Sequence, residues 1–305
     1  MPATHRVILD TDIGTDVDDI LALGVLLGSP EVALEAVTTV YGDVDLRARM
    51  VLKLLQLRER NDIPVHTGVR NPLLGLDPVY WPGHEGVGLL QDDDQLPAAS
   101  ATHAVDLLVD SIMGSPGEIT LLAVGPLTNV AAALVREPGI ATALKRLVIM
   151  GGKIGTSERP GALAEHNIRC DPEAAYIVLS SGARIELVPL DVTLRAVIRQ
   201  DGVNALQRRG TPYHAALADQ VSRYPGFVSR GGSTFLHDPL AALAVLEPGL
   251  LSWTALNVQV ELTGRQTRGM TVARLPSQDY PVTARVALEL DPDACEERIA
   301  TRLAS

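Results

Sequence analysis

Aromatic side chains are scarce in this sequence: two Trp, six Tyr and two Phe stand among 305 residues. No patch of rings marks a subunit interface. Cysteine is nearly absent too. Cys170 and Cys295 are too few for a disulfide framework, and the default for such thiols is a reducing compartment. Positive charge is in deficit, with 26 Lys and Arg against 37 Asp and Glu, a net charge of −11 and a pI near 5.1. That balance argues against nucleic acid and anionic membranes as partners, and suits a small neutral ligand. No apolar run reaches membrane length, and the N-terminus leads directly into an apolar strand with no signal peptide. A cytoplasmic location is therefore expected. No fixed-period repeat or low-complexity segment is present.

Aliphatic residues are abundant. Hydrophobic residues make up 46% of the chain and charged ones 21%, the balance of a soluble enzyme with a large core. The stretches Asp92-Asp93-Asp94 and Pro97-Ala98-Ala99-Ser100 read as a surface loop, not a boundary, so residues 1–305 are expected to form a single domain. Val7–Leu9, Ala33–Val40, Ile63–His66, Ile119–Val124, Leu147–Met150, Ile185–Leu190 and Val286–Leu290 read as strands. Helical spacing runs from Asp18 through Ile20, Leu23, Gly24 and Leu27, over Arg47–Arg60, and over Asp201–Ser222. Val258–Leu262 and Met270–Val272 alternate as a hairpin. The alternation predicts an α/β fold: an open, mostly parallel, twisted sheet with helices on both faces, Rossmann-like, its active site at the C-terminal strand ends.

Five aspartates crowd ten residues between the first strand and first helix: Asp10, Asp12, Asp16, Asp18 and Asp19. Helix capping by Asp16 and Asp18 accounts for one or two of them. Several carboxylates beside buried strand residues repel one another and lose solvation unless a cation neutralises them. Every local donor is oxygen, which favours Ca²⁺ or Mg²⁺ over zinc. An EF-hand is excluded, because the fifth position from Asp10 is Gly14 and the twelfth is Leu21. A phosphotransferase using Asp10 as nucleophile stays open from this stretch alone.

The run Asp10-Thr11-Asp12-Ile13-Gly14-Thr15-Asp16-Val17-Asp18-Asp19 resembles the N-terminal signature of the inosine–uridine-preferring nucleoside hydrolases, in the form two residues longer than D-x-D-x-G-x-D-D. Gly125-Pro126-Leu127-Thr128-Asn129, Met150-Gly151-Gly152 with Ala164-Glu165-His166-Asn167, and His237-Asp238-Pro239-Leu240-Ala241 follow in the family's order. The resemblance covers nearly the whole chain. It implies calcium-dependent hydrolysis of ribonucleosides to ribose and free base. It implies metal ligation by Asp12, Asp19, Asp238 and the Val124 carbonyl, with Asp12 also activating the water. By the same match, Asp18, Met150, Glu165 and Asn167 bind ribose, His237 assists the leaving base, and Asp10 supports the cluster from behind. Family members are commonly dimers or tetramers, so a homodimer or homotetramer is expected.

Several positions depart from the family pattern. In the glycine-rich loop Pro82–Gly88, Pro82 stands where the family has its base-side His, and His84 is the displaced candidate. Asp43 replaces an Asn near water and sugar, Arg159 falls near the 5′-hydroxyl position, and His166 replaces a Phe. These departures leave the base preference open. They also motivate an alternative, a catalytically weak homologue that binds ribose or a nucleoside. A metal-dependent phosphatase is the lesser alternative, because it gives His237-Asp238-Pro239 no role.

Overall fold

The computed structural model describes residues 5–155 and 163–305. Eleven strands are found among them: β1 (His5–Thr11), β2 (Val32–Thr39), β3 (Val65–Thr67), β4 (Ile119–Ala123), β5 (Arg146–Met150), β6 (Ile185–Val188), β7 (Val197–Arg199), β8 (Ser233–Phe235), β9 (Leu251–Val260), β10 (Thr271–Arg274) and β11 (Ala284–Leu290). Nine of them form one sheet in the order β10-β9-β11-β6-β5-β4-β1-β2-β3. From β3 to β11 the neighbours run parallel; β9 pairs antiparallel with β11, and β10 antiparallel with β9. The expected hairpin is therefore the sheet's antiparallel edge. β7 and β8 form a separate two-stranded ribbon.

Both faces of the sheet are covered, which explains why its strands read as unbroken apolar runs. Side chains alternate between two layers with the two-residue period of a strand. Val7, Leu9, Leu122 and Val148 join Ile20, Leu23 and Leu240 on one side. Ile8, Leu121 and Ile149 join Leu108, Leu134 and Val178 on the other. The helices Asp18–Leu27 and His237–Leu246 lie in the first layer, and all ten residues of the former are buried.

The predicted helix Asp201–Ser222 is in fact two, Gln200–Arg208 and Pro212–Arg223. Gly210 takes φ +70° between them, Pro212 opens the second helix, and the Thr211 hydroxyl accepts the His214 N–H at 3.2 Å. Helices Ala104–Gly114 and Pro292–Leu303 had no place in the sequence reading. Among the described residues, no helix is long and apolar enough to cross a membrane.

Successive connections leave β1 in opposite directions: β2 lies on one side of it and β4 on the other. The crevice between the C-terminal ends of β1 and β4 is thus the switch point at which open α/β sheets bind their ligands. Asp12 follows β1 and Val124 follows β4, so the chain's topology delivers both to that crevice.

Candidate active site

Two buried helices start at this crevice. Asp18 and Asp19 occupy the first turn of Asp18–Leu27, and Asp238 the first turn of His237–Leu246. One carboxylate oxygen from each of the three lies within 4.8 Å of the others, and all three side chains are buried. Helix N-termini favour negative charge, and the Asp238 N–H donates to Asp18 Oδ2 at 3.3 Å. That is not enough compensation for three anions. Burial, reinforced by neighbouring carboxylates, pushes the carboxyls of Asp18, Asp19 and Asp238 well above the usual range. An all-oxygen, buried, mutually repelling set fits a hard divalent cation, which would relieve the repulsion and hold the groups ionised. The capping alternative for these aspartates fails. Val17 occupies the N-cap position with no side-chain cap, and Asp16 Oδ1 accepts only its neighbour's N–H, that of Val17, at 2.6 Å.

The cluster forms part of the wall of a cavity of about 760 Å³. Asp12, Val124, Met150, Glu165, Asn167 and His237 line it as well, so the structure gathers most of the expected residues. Glu165 is fixed by three main-chain donors: Gly152 at 3.0 Å, Asn167 at 2.8 Å and Ile168 at 3.1 Å. Its carboxyl is nonetheless raised, because burial outweighs those hydrogen bonds. Asn167 Nδ2 donates to the carbonyls of Val124 at 2.6 Å and Met150 at 3.3 Å, tying the ends of β4 and β5 together. A Cβ placed on Gly125 would lie 2.9 Å from both the main-chain nitrogen and Oδ1 of Asp12. The glycine after β4 thus lets the two strand ends meet.

His237 Nδ1 shares a hydrogen bond with Thr193 Oγ1 at 2.7 Å. Burial, with Arg230 nearby, lowers its pKa to about 4. The imidazole is therefore neutral at pH 7, and when the Thr193 hydroxyl donates to Nδ1, the proton resides on Nε2.

Aromatic rings line the same cavity. They are Tyr41, Tyr80, Trp81 and Tyr224, four of the chain's ten aromatic residues. His166 meets Tyr80 edge-on at 5.5 Å, and its Nε2 lies 3.5 Å from Cys170 Sγ. Burial pushes that thiol up to about 12, so it is no nucleophile.

Three expected positions fall outside the cavity wall. Asp43 caps the helix Val44–Leu57 by accepting the Leu46 N–H at 3.1 Å, and its carboxylate faces Arg70 at 3.7 Å. His84 Nε2 contacts the Thr15 carbonyl at 3.1 Å. Asp10 is fully buried behind the site, where Thr38 and Asn129 donate to it at 2.5 and 2.7 Å. That burial raises its carboxyl to about 7 and removes the geometry a phosphatase nucleophile needs. Asn129 serves Asp10 and the Thr39 carbonyl instead of capping its own helix, whose N-cap Leu127 makes no side-chain bond. Arg159 lies outside the described residues.

Arg47 is the residue the sequence reading missed. It is completely buried. Its guanidinium donates to the carbonyls of Asp12, Ile13 (2.7 Å) and Tyr41 (2.7 Å) and to the Thr15 hydroxyl (2.9 Å), and it lies 5.0 Å from the Trp81 ring. A signal was present. Arg47 shares the helical stripe of Val51, Leu54 and Leu55, a place where a charge is out of pattern.

Buried carboxylates at the switch point of a parallel sheet, in a cavity that four aromatic rings also line, mark an α/β enzyme. A family model described as inosine-uridine preferring nucleoside hydrolase matches residues 7–297. The chain is 36% identical to the non-specific ribonucleoside hydrolase RihC of Salmonella newport over 309 aligned residues, covering 98% of each. Its fold is similar to that of a plant nucleoside hydrolase, PpNRh1 (TM-score 0.87, 30% identity, 99% of each chain). The purine-preferring ribonucleoside hydrolase from Gardnerella vaginalis is similar to the same degree (TM-score 0.87, 30% identity, 98% of each chain). The chain belongs to the inosine-uridine preferring nucleoside hydrolase family and is a hydrolase of N-glycosyl compounds.

Proposed function

We propose that this protein, as a single catalytic domain, hydrolyses the N-glycosidic bond of ribonucleosides with the aid of Ca²⁺. The observation that carries the reading is the buried trio Asp18, Asp19 and Asp238 sharing one cavity with Asp12 and Asn167. Asp19 and Asp238 of that trio would hold the ion, joined by Asp12 and the Val124 carbonyl as the family resemblance implies, and Ca²⁺ when bound supplies positive charge that orients and acidifies a water.

Cleavage passes through a ribosyl oxocarbenium ion, so the protein must hold the sugar, take a proton from water and receive the base. Asp18, Glu165 and Asn167 bind ribose hydroxyls, and the two carboxylates also stabilise the developing cation. Met150 packs at the sugar, its carbonyl tied to Asn167. Asp12 is the general base, its loop held still by Arg47. His237, neutral at pH 7, donates a hydrogen bond from Nε2 to the departing base instead of acting as a charged acid. Asp43 and His84 act from outside the pocket, shaping the loops around it.

The test is ribose release from inosine, adenosine, guanosine, uridine and cytidine, with calcium, with a chelator, and with Asp12→Asn. Calcium-dependent release that falls by about 10²–10⁴ in the variant, the range for losing a general base, supports the reading. Undiminished turnover in Asp12→Asn removes Asp12 as the base. Absence of release from every nucleoside, with binding retained, replaces the hydrolase by a nucleoside-binding homologue.

A further inference from the structure

Asp16 is the one aspartate of the N-terminal cluster to which the reading above gives no task. It lines the cavity, yet it stands outside the trio formed by Asp18, Asp19 and Asp238. Its Oδ2 accepts the phenolic proton of Tyr224 at 2.6 Å, a contact bridging 208 residues of sequence. Oδ1 is taken by the Val17 N–H. Around this pair three separate segments meet. His84 touches the Thr15 carbonyl and packs its ring 6.4 Å from that of Tyr224. Gln220, one turn before Tyr224, donates to the Val87 carbonyl at 3.0 Å, so the loop of His84 is fastened to the helix that delivers Tyr224. On the far side, Arg230 lies 4.9 Å from the Phe235 ring, which packs 5.3 Å from His237.

We propose that Asp16 is a positioning residue: it fixes Tyr224 in the cavity wall, with His84 as the second support, so that substrate meets a preformed aromatic surface. The proposal deepens the hydrolase reading by assigning a specificity element to it. A charge-assisted O–H···O⁻ bond is among the stronger side-chain contacts, and a two-point hold spares substrate the cost of ordering the ring. The phenol's proton is committed to Asp16, so toward a substrate Tyr224 offers its ring face and a lone pair only.

The experiment compares Asp16→Ala, Asp16→Asn, Tyr224→Phe and the double variant Asp16→Ala/Tyr224→Phe in the full-length protein. With nucleoside substrate, Asp16→Ala and Tyr224→Phe each raise KM about tenfold with kcat within about threefold, the pattern of lost binding shared by ground and transition states. The double variant is no worse than the worse single, because both remove one contact. Asp16→Asn recovers only part of the loss, since its single amide oxygen can accept the phenol or the Val17 N–H but not both. Terbium luminescence reports the cation site independently: Asp16→Ala leaves affinity within about twofold, as expected for a group that is not a ligand. A loss equal to that of Asp19→Asn overturns the assignment. A readout without substrate uses limited trypsin digestion, following the cut after Arg230, which is exposed. Asp16→Ala and Tyr224→Phe accelerate that cut equally, about fivefold, by loosening the Tyr224 segment, and the double no further. Additive effects, or none, overturn the proposal even if the wild-type protein releases no ribose, a result that would by itself sink only the hydrolase reading. Tyr224→Phe keeps the ring and removes one oxygen, so folding does not confound it.

Discussion

Asn167 Nδ2 donates to the main-chain oxygen of Val124 at 2.6 Å. One side chain thereby holds the carbonyl proposed for the cation while lining the cavity proposed for ribose. Replacing Asn167 with Leu leaves that carbonyl without its buried donor, a cost of about 1–3 kcal/mol at the site. We expect KM for nucleosides to rise at least tenfold and calcium affinity to weaken in the same variant. Calorimetric titration of the ion checks the second effect; unchanged ion affinity would separate the two roles.

Cation binding should release protons. The carboxyls of Asp18, Asp19 and Asp238 are raised by burial and mutual repulsion, so the ion-free folded state holds protons that the unfolded chain, with ordinary carboxyls, has already lost. The sign follows. The contribution of these three carboxyls to ion-free stability is greatest at low pH and is lost as pH rises through their raised values, while calcium affinity strengthens over the same window. Titration in two buffers of different ionisation enthalpy measures the protons; a release indistinguishable from zero at every pH above the ordinary carboxyl range contradicts the raised values.

Arg47 is buried with four acceptors that have no equivalent replacement. Arg47→Met should destabilise by several kcal/mol, since each carbonyl left buried without its donor costs about 1–3 kcal/mol, and lower kcat in whatever fraction folds. Arg47→Lys keeps the charge but not the fork that spans two loops, and falls between. Urea unfolding gives the first number. A variant as stable as the parent would show that the loop of Asp12 holds its shape unaided.

Far from the cavity, a Cβ on Gly28 would lie 1.9 Å from the main-chain oxygen of Arg302. Backbone cannot swing aside as a side chain can. Gly28→Ala should destabilise by about 1–3 kcal/mol through overpacking, with KM and kcat of the folded protein unchanged. A change in KM would mean that the helix Asp18–Leu27 transmits strain along its length to Asp18.

Much of the fold was legible because the sheet is buried on both faces, so each strand announces itself as an apolar run ending in a turn. The strands read at Ile119–Val124 and Leu147–Met150 are observed within one residue, at Ile119–Ala123 and Arg146–Met150. Helix Ala104–Gly114 was harder to see, because it lies between surface loops and has only a partial apolar face. Placement of the carboxylates at the strand ends followed from motif order. What each side chain holds did not. Asn129, in the first turn of the helix Thr128–Arg136, serves Asp10 across 119 residues of sequence. Asp43 reads as a substrate contact and caps a helix beside Arg70. Arg47 and the Asp16–Tyr224 pair depend on segments 35 and 208 residues apart, and no local pattern encodes such distances.

The poverty in aromatics has an optical consequence. Only two tryptophans emit, Trp81 in the cavity wall and Trp253 in β9 beside Arg285. Trp253→Phe would leave a single indole stacked near Arg47 at the mouth of the site. Its emission would then report, residue by residue in any variant series, when the pocket is filled and when it empties.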